Sequence, residues 1–146
     1  MPGLDGRFEL GRVQTIGAGE DIAIVAMGSI TQEAVAAAAG MASRGIHAQV
    51  IVVSNFNPDP ENHLLEILAE FQHVISVEAQ TISGGLAAFV GAQIAQHGLR
   101  CRLYPLAVRC SPDGTTGSQA DRWRKYGLDR GAIAATALAA LGASRG

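Results

Sequence analysis

Ile22-Ala23-Ile24-Val25-Ala26 decides how this chain is read. Five consecutive apolar side chains suit a strand buried on both faces, as in a parallel sheet covered by helices. Gly28-Ser29 ends the run, and the period then changes. Ser29 with Gln32 three residues on is a capping-box pattern that opens an Ala-rich helix, stopped at Gly45. A second buried strand is expected over 48–53. A strand, a helix and a strand in that order need a crossover, and crossovers of this length join parallel neighbours.

The same alternation continues downstream. A turn-rich segment, 54–59, leads to Asp59 as a cap with Pro60 at the first helical position, where its missing N–H costs nothing. Leu64, Leu65, Ile67, Leu68 and Phe71 form the apolar side of that helix. A third strand is read over 73–77. Gly84-Gly85 then precedes a helix over 86–97, closed by Gly98. A fourth strand covers about 102–108. A Gly/Thr/Ser loop, a short helix near 118–126 stopped by Gly127 and a last helix over 129–141 complete the chain. Upstream, 13–16 reads as an edge strand, parallel or antiparallel. The expected fold is α/β: a single three-layer α/β/α domain with an open, mostly parallel, Rossmann-like sheet. One domain is expected over 1–146, its core about 8–142, without repeats or linkers.

Composition narrows the function classes. Of 146 residues, 48% are hydrophobic and 16% charged, with a formal net charge of -2. This balance gives no reason to expect nucleic acid, which calls for a concentrated basic face, nor an anionic membrane, which calls for a juxtamembrane basic cluster. Apolar stretches are broken well short of a membrane span. The opening 1–11 carries Asp5, Arg7 and Glu9 and lacks the apolar core of a signal peptide. A cytoplasmic protein is expected. Cys101 and Cys110 fit neither a disulfide framework nor a CxxC site and read as reduced thiols.

In an open parallel sheet, ligands bind beyond the carboxyl ends of the strands. The segment 109–118 is the best anion candidate there. Arg109, Thr115, Thr116, Gly117 and Ser118 belong to a small-residue loop before a helix, where orphan N–H groups favour phosphate. The Walker spacing and its Lys are missing, and Ser118 with Asp121 also makes a plain N-cap. Gly28-Ser29 lacks the dinucleotide fingerprint and reads first as a helix start. Gly17-Ala18-Gly19 precedes its strand, the wrong side for a dinucleotide loop. Glu78 ends an apolar strand, where a carboxylate must be paired or hydrogen-bonded, and support of a neighbouring loop with Gly84 and Gly85 is its expected role. Trp123 and Tyr126, three apart on a short helix, are either partner contacts or core. No His pair has metal-ligand spacing, no Ser sits in a nucleophile elbow, and Cys110 lacks a recognisable local partner.

The order of these segments resembles the C-terminal domain of transketolases. The run 19–29, the Ala-rich helix and Gly45-Ile46 before an apolar strand are similar to that domain's start. Val77-Glu78-Ala79 with Ser83-Gly84-Gly85-Leu86 resembles its V-E-(E/A)…G-G segment. Asp113, Gly117-Ser118 and Lys125-Tyr126-Gly127-Leu128-Asp129 resemble its closing run. The likeness covers about 8–141. Asn57-Pro58-Asp59-Pro60 stands where sugar-processing relatives often carry P-L-D, a departure in that loop's contacts.

The resemblance implies an enzyme built from three α/β domains. The first binds thiamine diphosphate through a divalent metal (Mg), and the second supplies an activating glutamate. The third supports the assembly, borders the substrate entrance and, in 2-oxo acid dehydrogenases, helps dock a carrier protein. The expectation is therefore a C-terminal subunit of a split transketolase-like enzyme, with no catalytic, cofactor-binding or metal-binding residues of its own. The cofactor and Mg are expected on partner subunits of the N-terminal, diphosphate- and pyrimidine-binding type, in a homo- or hetero-oligomer. The alternatives are the C-terminal part of a 2-oxo acid dehydrogenase or decarboxylase component, and an autonomous Rossmann-like module binding a phosphate ligand near 109–118. Met1 followed by a short tail reads like a natural start rather than a cut fragment.

Overall fold

The structure, a computed structural model, describes residues 11–56, 61–109, 114 and 117–143. Its centre is the quoted run: β2 (Ile22–Met27) is flanked in parallel by β3 (Ala48–Val52) and β4 (His73–Thr81). Ile24 stands opposite Val50 on one side and Ile75 on the other. β5 (Arg102–Val108) extends the sheet in parallel beyond β4, and β1 (Gln14–Ile16) closes the other edge antiparallel to β3, giving the order β1-β3-β2-β4-β5.

Period-two geometry sends alternate side chains of β2 to opposite faces, and each face carries a helical layer. Ile22, Ile24 and Ala26 join Ala34, Ala37 and Met41 of α1 (Thr31–Ala42) and Ile133, Ala137 and Ala140 of α5 (Arg130–Ala143). Ala23 and Val25 join Leu64 and Leu68 of α2 (Glu61–Leu68) and Leu86 and Val90 of α3 (Leu86–Gln96). All five β2 residues of the quoted run are fully buried, as a central strand covered on both sides requires. This is the expected α/β/α architecture.

Several local expectations shift. The Ser29–Gln32 capping box does not form. Gly28, at φ +79°, turns the chain into a short 3-10 turn (Gly28–Ile30), and α1 follows with Ile30 at its cap position and no side-chain cap. A glycine tolerates that left-handed conformation without strain, so the turn itself tightens the helix start. Thr31 Oγ1 donates to Gly28 O at 2.7 Å. The third parallel strand runs past 77 to Thr81, because its pairing with β5 shifts register between Val77 and Thr81. Asp59 and Pro60 lie outside the described residues. The antiparallel edge strand and the 102–108 strand fall where the sequence places them.

Candidate functional site

The strand order reverses at β2, since β3 lies on one side of it and β4 on the other. The carboxyl ends of β2 and β4 therefore border the topological switch point, the position where this architecture binds ligands. Met27 and Glu78 stand opposite each other there. Glu78 is only 3% exposed. Its Oε2 accepts the backbone N–H of Leu86 at 2.8 Å and its Oε1 that of Ala87 at 3.0 Å, so both oxygens rest on the first N–H groups of α3. Orphan donors and the positive end of the helix dipole make this a favourable seat for a buried carboxylate. The approach requires Gly85, where any Cβ would collide with the Glu78 carboxylate, while Gly84 at φ +74° turns the chain into position.

The starts of α4 and α5 are served in the same way, whereas α1 has no side-chain cap. At α4 (Gln119–Lys125), Asp121 N donates to Ser118 Oγ at 3.1 Å and Asp121 Oδ2 accepts Ser118 N at 3.3 Å, a complete capping box. Hydrogen bonds from Ser118 hold the Asp121 carboxyl below its ordinary range. At α5, Asp129 Oδ1 accepts Ala132 N at 3.0 Å, and Glu33 of α1 accepts Arg130 N at 2.8 Å. Glu33 also takes the Arg130 guanidinium at 2.8 and 3.1 Å, and those side-chain bonds hold its carboxyl below the usual carboxylate value. The chain's own carboxylates thus occupy the starts of α3, α4 and α5.

Arg109 does not turn toward the start of α4: its Nη2 donates to Pro105 O at 3.0 Å. Gly117 and Ser118 are exposed, with Ser118 engaged in the capping box, and Thr115 and Thr116 lie outside the described residues. Gln119 Nε2 donates to Ser29 Oγ at 3.0 Å, tying the α4 start to the loop after β2. Trp123 is 8% exposed and belongs to the same cluster as α1 and α5, so its indole surface is spent inside the chain. Tyr126 is half-buried against that cluster. Cys101 is buried, and desolvation pushes its thiol pKa up; Cys110 is outside the described residues. The pairing of Glu33 with Arg130 was not visible in the sequence, because the residues lie 97 positions apart and neither belongs to a local motif.

A metal-held diphosphate needs oxygen or imidazole ligands converging on one point. Among the described residues no group of three His, Cys, Asp or Glu side chains could hold a metal ion. The α3 start, the natural seat for a diphosphate at the switch point, is filled by Glu78. The residues described do not fit the cofactor that the resemblance implies.

An open five-stranded, mostly parallel sheet with helices on both faces and self-capped helix starts defines a Rossmann-like α/β domain. The chain belongs to the family described as "Transketolase, C-terminal domain", whose profile matches residues 11–133. It is 31% identical to a subunit of the apulose-4-phosphate transketolase of Actinobacillus succinogenes, over 92% of this chain and 43% of that protein. It is also 31% identical to the "Putative transketolase C-terminal section" of Methanocaldococcus jannaschii, over 87% of this chain and 39% of the relative. A solved structure described as "Split gene transketolase, inactive beta4 tetramer" superposes with a TM-score of 0.83 at 27% identity, over 94% of this chain and 45% of that one. The chain thus spans less than half the length of each.

Proposed function

We propose that this chain supplies the C-terminal domain of a transketolase-type enzyme that depends on thiamine diphosphate and transfers ketol groups or performs related C–C bond chemistry. In this reading the diphosphate- and pyrimidine-binding domains, with the cofactor and its Mg, reside on partner polypeptide, and the chain contributes assembly rather than catalytic groups. The observation that carries the reading is the family match across 11–133, in company with relatives whose names describe a subunit and a split gene. The tetramer named for the structural neighbour supports an oligomeric assembly. A 31% identical 1-deoxy-D-xylulose-5-phosphate synthase of Chlorobium luteolum, matched over 88% of this chain and 20% of its own length, keeps the wider C–C chemistry in the proposal.

At the starts of α3, α4 and α5 the donors that would greet a phosphate already hold carboxylates, which disfavours a phosphate seat at those three positions. The enzyme is proposed to be cytoplasmic; no helix among the described residues is long and apolar enough to cross a membrane. Calorimetric titration of the purified chain with thiamine diphosphate and Mg tests the division of labour. No heat of binding is expected at cofactor concentrations that saturate whole transketolases, and micromolar binding by the chain alone would overturn it.

A further inference from the structure

A net charge of -2 conceals a strong segregation of charge. Eight of the eleven Lys and Arg residues fall after residue 99, whereas ten of the thirteen Asp and Glu residues fall before residue 79. Several of the exposed cations fall along one side of the fold, with Arg12, Arg44 and Arg130 elsewhere. β5 is the outer strand of the sheet, it begins at exposed Arg102, and exposed Arg109 follows its last residue. Lys125, the last residue of α4, shares a cleft with the carboxyl half of β5, and α4 presents Arg122, Arg124 and Lys125 to solvent. Arg109 and Lys125 line one cleft of about 220 Å³ with Tyr126 and Leu106. Exposed Glu20, Asp21, Glu66 and Glu70 sit elsewhere, at the amino end of β2, on α2 and in the turn after it, while on α4 itself Asp121 pairs with Arg124 at 3.5 Å.

Two further features distinguish this edge from an ordinary solvated one. Leu103, Tyr104, Pro105 and Leu106 are only half-buried, an apolar strip in the middle of the basic rim. The middle of the edge is also poorly suited to strand addition. Arg102 N donates inward to Gln72 O, so by strand alternation Pro105 faces outward, where it offers no N–H, and its carbonyl is taken by Arg109. Pro105 thus favours a partner that meets β5 through side chains over one that extends the sheet. An apolar centre with Arg and Tyr around it has the anatomy of a protein–protein interface. A nucleic-acid surface has little use for half-buried Leu and Pro at its centre.

We propose that the β5 edge, with Arg102, Arg109 and Lys125 around Leu103, Pro105 and Leu106, docks an acidic face of the folded polypeptide that carries the rest of the enzyme. The proposal rests on the assembly role given above and adds to it a surface and a charge sign. The test measures binding of the diphosphate- and pyrimidine-binding polypeptide encoded in the same genome, at about 0.15 M salt. It compares the wild-type chain, Arg109→Glu with Lys125→Glu, Arg102→Glu, and Arg44→Glu on the exposed turn after α1, each checked for an unchanged circular dichroism spectrum. Charge reversal at either end of β5 is expected to weaken binding by about tenfold or more, with Arg44→Glu without effect. Equal binding by the β5 variants would overturn this surface and leave the assembly role standing. No binding by the wild-type chain would defeat both. Either self-association of the chain or capture of a mixed-sequence DNA duplex, lost on the same charge reversals, would also overturn it, by assigning the edge to a second copy or to nucleic acid.

Discussion

Glu78 and Gly85 form the tightest sequence-to-structure link in the molecule. The carboxylate reaches the first two N–H groups of α3 only because residue 85 has no side chain. Gly85→Ala is expected to lower stability by about 2 kcal/mol or more, read by urea denaturation, since either the carboxylate or the helix start must move. Gly84→Ala, which meets open space and bears only the strain of φ +74°, should lose about 1 kcal/mol. An equal loss at the two positions would contradict the collision. Glu78→Ala strands two buried donors and should cost roughly 2 kcal/mol by the same measurement. The sequence permits much of this reading: a carboxylate at the end of an apolar strand needs a partner, and Gly-Gly before a helix offers one. Ser29 shows the opposite outcome. Its spacing to Gln32 is a valid cap pattern, but Gly28's turn into the 3-10 segment pre-empts it, and the hydroxyl accepts instead from Gln119.

At the scale of elements, α5 is held to α1 by small-residue packing and by the Glu33–Arg130 pair. The lowered Glu33 pKa gives that tie a pH dependence with a definite sign. The carboxyl titrates lower in the folded chain than in the unfolded one, so its stabilisation is complete above the ordinary carboxylate range. The stabilisation is lost as pH falls through the lowered folded value. Melting temperatures followed from neutral into acid should therefore drop less steeply for Glu33→Gln than for wild type; identical slopes would contradict the pairing. Trp123 anchors α4 to the same layer, and Trp123→Ala should cost about 3–5 kcal/mol through the cavity it leaves. The elements themselves were legible because each carries its own period: the continuous run of β2, the 3.6-residue face of α2 through Leu64 and Leu68, the stop at Gly98. What joins them was not legible. Glu33 reaches Arg130 across the fold, and Trp123 looks the same in sequence whether it faces a partner or the core.

Across the described residues, the chain's own carboxylates hold the starts of α3, α4 and α5, positions where this architecture can take an anion. Exposed Arg102, Arg109 and Lys125 line one open edge, the surface proposed above to meet a partner. Neither the sharing of carboxylates nor the basic edge follows from net charge or from any single motif; both arise when distant segments are brought together at the switch point and along β5. The central claim is that reactivity belongs to the assembly and not to this chain. Its most direct test is the steady-state rate of ketol transfer measured for the diphosphate- and pyrimidine-binding polypeptide alone, for this chain alone and for the two mixed. Turnover is expected only in the mixture; full-rate turnover by the other polypeptide without this chain, or any turnover by this chain unaided, would overturn that division of labour.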